Sequence, residues 1–301
     1  MANRRGNLAT ALKARFSQLT RSAGAMRKRV FASVAGDEVL EAEPAPPPVP
    51  TRVTCAPDGV CLYAVGDIHG RMDLLLRLVE LIDADAATLP EGTQAQIIFL
   101  GDYIDRGLQS RDVIEYFASG ALDRYNPVYL LGNHEEALLR FRQEPSFGKQ
   151  WAQFGGAETL YSYGFAPPNV RASLSSHEEM AAARAAWEKV WTEFRARLPE
   201  SHLTFLESLK ACHVAGDYLF VHAGLRPGIG LSEQMERDML WIRDEFLHDS
   251  APFPHLVVHG HTPEDAIYRD DRRIGLDTGA FLTGRLSAAR LFGTDVAFLS
   301  T

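Results

Sequence analysis

Cysteine is scarce in this chain. Three residues in 301, Cys55, Cys61 and Cys212, form no C-x-x-C pair, and their odd number argues against a disulfide framework. They read as ordinary thiols in a reducing, cytoplasmic compartment. No apolar run approaches the roughly eighteen residues of a membrane span, so a soluble protein is expected. The N-terminus has neither the continuous apolar stretch nor the cleavage pattern of a secretory signal. No G-x-S-x-G, C-x5-R or P-loop pattern supplies a covalent nucleophile. Acidic residues are missing from positions 1 to 30, where eight basic side chains stand alone; the formal charge of -8 therefore combines +8 there with -16 over the rest. A body that acidic is a poor nucleic-acid surface, and no nucleic-acid partner is expected.

What is present, 46% hydrophobic residues, suffices for one sizeable core. Leu8, Leu12, Phe16 and Leu19 lie at helical spacing among Arg, Lys, Ser and Ala. This reads either as a flexible basic tail or as an amphipathic segment docking on a membrane surface or partner, and organellar transit peptides share its composition. Pro44 and the run Pro46-Pro47-Pro48-Val49-Pro50 favour an extended linker. Residues 1–52 are thus assigned as tail and linker, and 53–301 as the globular domain.

Five short stretches organise that domain: Gly66-Asp67-Ile68-His69-Gly70, Gly101-Asp102-Tyr103-Ile104-Asp105-Arg106-Gly107, Gly132-Asn133-His134-Glu135, His222-Ala223-Gly224 and Gly260-His261-Thr262-Pro263. Each follows a short apolar run of the kind that forms a strand buried on both faces. In open α/β sheets ligands bind beyond the carboxyl ends of the strands, so these exits would bring Asp, His, Asp, Asn, His and His together. Carboxylate, imidazole and amide oxygen without thiolate suit manganese, iron or zinc. The number of ligands exceeds what one tetrahedral ion needs, which points to two ions sharing a carboxylate.

The five motifs in this order resemble the phosphoprotein phosphatase branch of the calcineurin-like metallophosphoesterases over roughly residues 60 to 285. The segments 154–164 and Leu240-Trp241-Ile242-Arg243 are similar to its bacterial members. The resemblance implies a four-layer α/β/β/α sandwich with a helical cap over about 143–200. It also implies a phosphomonoesterase with two divalent ions, manganese foremost, in which a hydroxide shared by the ions attacks phosphorus directly. Its expected substrate is a protein phosphoserine or phosphothreonine, with phosphotyrosine in reserve. A dinucleoside polyphosphate, another small-molecule phosphate or a lipid phosphate is the alternative, and a non-catalytic scaffold the reading from a different class.

Asp67 and His69, alternating across Ile68 on an extended segment, are assigned to the first ion. Asp102 is assigned as the bridge, and Asn133, His222 and His261 to the second ion. His134 is the expected general acid, and the resemblance sets Asp105 against its ring. Arg106 and, from the bacterial pattern, Arg243 are expected to fork onto phosphate oxygens. Arg226 either lines the mouth or is solvated, and His259 points into the site or packs behind it. His177, His202, His213, His248 and His255 match no motif and read as surface or capping residues.

Apolar spacing predicts helices over 72–86, over 110–119 with Ser110 as cap, and over 135–142. The segments 285–291 and 295–299 are expected to finish the second sheet.

Overall fold

We describe the protein from a computed structural model covering residues 53–169 and 176–301. The expectations for the basic tail and Pro-rich linker lie outside these residues. Among the described residues no helix is long and apolar enough to cross a membrane.

The apolar runs form strands, and the periodic segments between them form covering helices. The first half contains β1 (Val60–Val65), α1 (Met72–Ala86), β2 (Gln94–Phe99), α2 (Ser110–Ala118), β3 (Val128–Tyr129) and α3 (Asn133–Gln143). α1 buries Leu74, Leu75, Leu78, Val79 and Ile82 along one face, as the 3.6-residue period requires. β1, β2 and β3 pair in parallel, consistent with helical crossovers between neighbours.

The cap follows as α4 (Gly148–Trp151), a wide π turn over Ala152–Gly156, α5 (Ala157–Ser162), α6 (His177–Arg197) and α7 (Glu200–Glu207). Its aromatic residues Trp151, Trp187 and Phe194 pack into the core around Phe141. The second half contains β4 (Cys212–Ala215), β5 (Tyr218–Val221), α8 (Glu236–Trp241), α9 (Asp244–Leu247), β6 (Leu256–His259), β7 (Tyr268–Arg269), β8 (Arg273–Gly275) and α10 (Ala280–Thr283). The chain closes with β9 (Ser287–Phe292) and β10 (Asp295–Ser300).

Two five-stranded sheets result, ordered β10-β9-β1-β2-β3 and β4-β5-β6-β8-β7. Strand alternation builds the layers. In β1, Leu62 and Ala64 join Tyr218, Phe220, Val258 and Ile274 between the sheets, while Cys61, Tyr63 and Val65 face α1 and α2. In β5, Leu219 and Val221 turn outward onto Met239 and Phe246 of α8 and α9. A one-residue slip of either strand would exchange its two apolar faces, and the lateral order of the sandwich depends on that period of two.

Three local expectations are corrected. The last two strands do not finish the second sheet: β9 pairs antiparallel with β1, so the chain returns to close the first. Ser110 is the first residue of α2 and does not cap it with its side chain; its buried hydroxyl instead accepts from the Asp105 N–H at 3.1 Å. The third helix begins at Asn133 itself, so its N-terminal turn carries motif residues.

Candidate active site

All six expected metal ligands lie just past strand ends, Asn133 as the first residue of α3 and the others on loops, several with sharply bent backbone. His69, Asp102, Asp105, Arg106 and His261 have positive φ, between 48° and 70°. That region is costly for residues with a Cβ and persists where surrounding structure enforces it, commonly at functional sites. The Asp67–His69 segment is therefore a turn, not the extended segment expected from its alternation. His69 still reaches the cluster because its left-handed φ swings the ring inward, leaving Nε2 3.6 Å from Asp102 Oδ2.

The loops fit so closely that a methyl group would not enter. A Cβ on Gly132 would lie 2.3 Å from the Asp102 amide nitrogen, and one on Gly260 would lie 2.0 Å from Asp67 Oδ1. Glu135, buried one turn into α3, ties the second and third loops together. Its carboxylate accepts backbone N–H groups of Asp102, Tyr103, Ile104 and Gly132 at 2.8 to 3.2 Å. Burial pushes this carboxyl up to about 8 while the N–H donors pull it down. Four donors offer no acceptor for a carboxyl proton, so the anion is the form this cradle fits.

The histidines present bare nitrogens to one another. His69 Nδ1 lies 2.9 Å from the Ile104 carbonyl and His222 Nδ1 lies 2.8 Å from that of Leu100, contacts that put the ring protons there and leave Nε2 unprotonated. His222 Nε2 and His261 Nδ1 each lie 2.9 Å from Asn133 Oδ1, with Asp102 Oδ1 3.4 Å from the former. His222 Nε2 thus meets Asn133 Oδ1 and Asp102 Oδ1 as acceptor against acceptor, and His69 Nε2 and His261 Nε2 are buried without a hydrogen-bond partner. Burial holds His69 well below the usual imidazole range and His261 at about 2, and it lowers His222, so all three favour the neutral form. Converging lone pairs on neutral imidazoles around a buried carboxylate suit a divalent cation, and two triads, His69-Asp102-His134 and Asp102-His222-His261, have the spacing to hold one.

Asp67 stands slightly apart, accepting from the His261 N–H at 3.1 Å and facing Asp277 at the end of β8. Burial and this neighbour raise Asp67 well above the carboxylate range, and burial lifts Asp277 to about 6. Two buried carboxyls facing each other compete for a proton, a conflict that the Arg106 guanidinium eases and a cation would relieve further. Asp277 was not singled out in the sequence, because the stretch Leu276-Asp277-Thr278-Gly279 reads there only as a closing segment.

Beside this cluster His134 Nδ1 lies 2.7 Å from Asp105 Oδ2 and its Nε2 lies 3.2 Å from Arg106 Nη2. A guanidinium only donates, so Nε2 accepts and the proton sits on Nδ1. Burial disfavours a second proton on this ring, but Asp102 and Asp105 outweigh it and raise His134 above its ordinary value. Asp105 is itself held by Trp151 Nε1 at 2.9 Å and Thr159 Oγ1 at 2.6 Å, both from the cap. Neither residue could be foreseen from a motif; only the inserted position of the cap hinted at contact. The Arg106 guanidinium lies 4.8 Å from the Phe281 ring, and its amide donates to the Gly155 carbonyl in the π turn.

Arg243 is exposed on the opposite side, donating to Thr262 Oγ1 at 3.1 Å and disfavouring protonation of His222 and His261. Arg226 is occupied elsewhere, in a two-point pair with Asp238 at 2.8 Å. His259 packs behind the site, its Nε2 3.1 Å from Arg273 Nη1. His202 is fully buried between Tyr163 and Glu115 and is neither a surface nor a capping residue.

Comparison with known proteins agrees with this architecture. The chain is 26% identical over 246 residues to the asymmetrical bis(5'-nucleosyl)-tetraphosphatase PrpE of Anoxybacillus flavithermus, a match covering 75% of this chain and 88% of the relative. It is 27% identical over 245 residues to the PrpE protein of a Geobacillus species, with the same coverage. A crystal structure described as that of a candidate diadenosine tetraphosphatase superposes with a TM-score of 0.51 and 22% identity, over 82% of this chain and 96% of that one. None of these three carries a protein phosphatase name, so the superfamily resemblance holds while the narrower branch does not follow from them. The calcineurin-like phosphoesterase model matches residues 62–290, and with the two-sheet fold and the buried His and Asp cluster this chain belongs to the calcineurin-like phosphoesterase family.

Proposed function

We propose that this metallophosphoesterase cleaves dinucleoside polyphosphates, with Asp67, His69 and Asp102 holding one divalent ion and Asp102, Asn133, His222 and His261 a second. The observation that carries the hydrolytic reading is the convergence of bare, neutral imidazole nitrogens on the buried Asp102 carboxylate. Similarity to two bis(5'-nucleosyl)-tetraphosphatases across nearly the whole described domain favours the substrate over a phosphoprotein. Bound divalent ions supply a water of lowered pKa and neutralise charge that develops on the phosphoryl group.

The chain's own residues do the rest. Arg106 and Arg243 approach from opposite sides and present forked donors to phosphate oxygens. When Arg106 turns from His134 Nε2 to phosphate, that nitrogen becomes free to carry the proton for the leaving oxygen, and Asp105 steadies the resulting charge at Nδ1. Water adds to phosphorus as the bridging P–O bond breaks, yielding a nucleoside triphosphate and a monophosphate from an asymmetrically cut tetraphosphate.

Side-by-side turnover of diadenosine tetraphosphate and a phosphoserine peptide, with manganese and then with excess chelator, tests this. The reading expects a higher kcat/KM on the dinucleotide and loss of both activities on chelation. A phosphopeptide preference would return the chain to the protein phosphatase reading, which uses the same metal core.

A further inference from the structure

Trp241 is the only one of the four tryptophans with an exposed ring. It is 40% accessible, whereas Trp151 and Trp187 are buried and Trp191 is partly covered. It is nevertheless held firmly. Its indole N–H donates to Glu136 Oε2 at 3.0 Å, three residues beyond Asn133. Its ring meets that of His261 at 6.3 Å and 80°. It ends α8, and the buried Ile242 separates it from Arg243. An aromatic face 40% accessible and set edge-on to a candidate metal ligand is open to a planar partner at the site.

Its surroundings suit a nucleotide. An aromatic face accepts any base by stacking, and a guanidinium two residues away accepts the phosphate of the same nucleotide. The second requirement of such a subsite, a preferred orientation before the ligand arrives, is served by the Glu136 hydrogen bond, which favours one setting of the indole.

We infer that Trp241 is a specificity-determining residue whose exposed face stacks on a nucleobase of the substrate, with Arg243 holding that nucleotide's phosphate. The inference rests on the dinucleoside polyphosphate reading and adds to it the position of a base. Exposure of the ring makes substitution tolerable for the fold, and because the ring also meets His261 the variants are compared at matched manganese content, so that they report on base binding.

The test uses full-length, manganese-loaded protein, with Trp241→Phe and Trp241→Ala. Titration with AMP is expected to quench tryptophan fluorescence in the unaltered protein, and this quenching disappears in both variants. By calorimetry AMP binding weakens roughly tenfold or more in Trp241→Ala but less than threefold in Trp241→Phe, the scale of one lost base stack. The kcat/KM ratio of diadenosine tetraphosphate to inorganic tripolyphosphate falls correspondingly in the alanine variant. If unaltered protein hydrolyses the dinucleotide and Trp241→Ala matches it in AMP affinity and in that ratio, stacking is overturned and the substrate reading stands. If the unaltered protein does not hydrolyse the dinucleotide while cleaving a phosphopeptide, the substrate reading fails and takes the stacking role with it.

Discussion

His134 sits between a group that fixes it and a group that competes for it. Asp105 lies 2.7 Å from one ring nitrogen and Arg106 3.2 Å from the other, and in the proposed reaction an anion draws the guanidinium away. The need for its proton depends on the leaving group. His134→Asn should lower kcat on an alkyl phosphate by roughly 100-fold or more, and by much less on diadenosine tetraphosphate, whose triphosphate leaving group is a weaker base. Equal losses on the two substrates, measured at matched metal content, would show that the residue acts on something other than the leaving oxygen. Burial works against a second proton on this ring and the carboxylates of Asp102 and Asp105 favour it; Asp105, 2.7 Å away, continues to do so when Asp102 holds a cation, and the sign with pH follows from that contact. Its acid form persists past 6.5 and is lost as pH climbs through the raised value, so alkyl phosphate turnover should fall on the alkaline side. In His134→Asn that limb should be absent from the pH profile.

Every one of the ten proposed site residues could be named from the five motifs and one flanking segment, because each motif joins a strand to a polar side chain at fixed spacing. What the motifs did not carry was the scaffolding around them. Trp151 and Thr159 reach Asp105 only through the folding of the cap, and Asp277 meets Asp67 only because β8 lies beside β6.

Loops and strands set the site's tolerances at the next scale. The second and third loops hang on the single carboxylate of Glu135, and Gly132 and Gly260 let backbone pass within contact of ligand carboxylates. Gly260→Ala should therefore displace Asp67 or open the His261 turn. Stoichiometric manganese uptake should drop by about half or more, while far-ultraviolet circular dichroism stays close to that of the unaltered protein. Full metal uptake in this variant would show the loop to be softer than its packing implies.

Strand placement was legible up to the point where it became non-local. The parallel order of β1, β2 and β3 follows from two short crossovers, each with its own amphipathic helix. The pairing of β9 with β1 does not, because Ala288 and Val65 are far apart in sequence and nothing local in either strand names its partner. Ser110 shows the same limit in miniature: a serine before an apolar helix reads as a cap until a buried backbone N–H elsewhere claims its hydroxyl.

At the scale of the whole molecule, the candidate ligands are divided between the sheets. Asp67, His69, Asp102 and Asn133 follow strands of the first sheet, and His222 and His261 follow strands of the second. Each ion bound only by the folded form would stabilise it by about 2.7 kcal/mol at a hundredfold excess over its Kd. For a domain of this size that corresponds to roughly 5 to 10 °C in Tm. Thermal melts with manganese, and after treatment with chelator, should differ by at least that amount and recover on reloading. Coincident melts at every metal concentration tried would remove the cations from the stability of the fold.

That division has an evolutionary corollary. If one pair of cations both serves the chemistry and rivets two half-sheets into a single body, a mutation that shifts a ligand to suit a new substrate also loosens the joint. Innovation in such a molecule is pushed outward, to cap and rim, where side chains can change identity without moving a ligand.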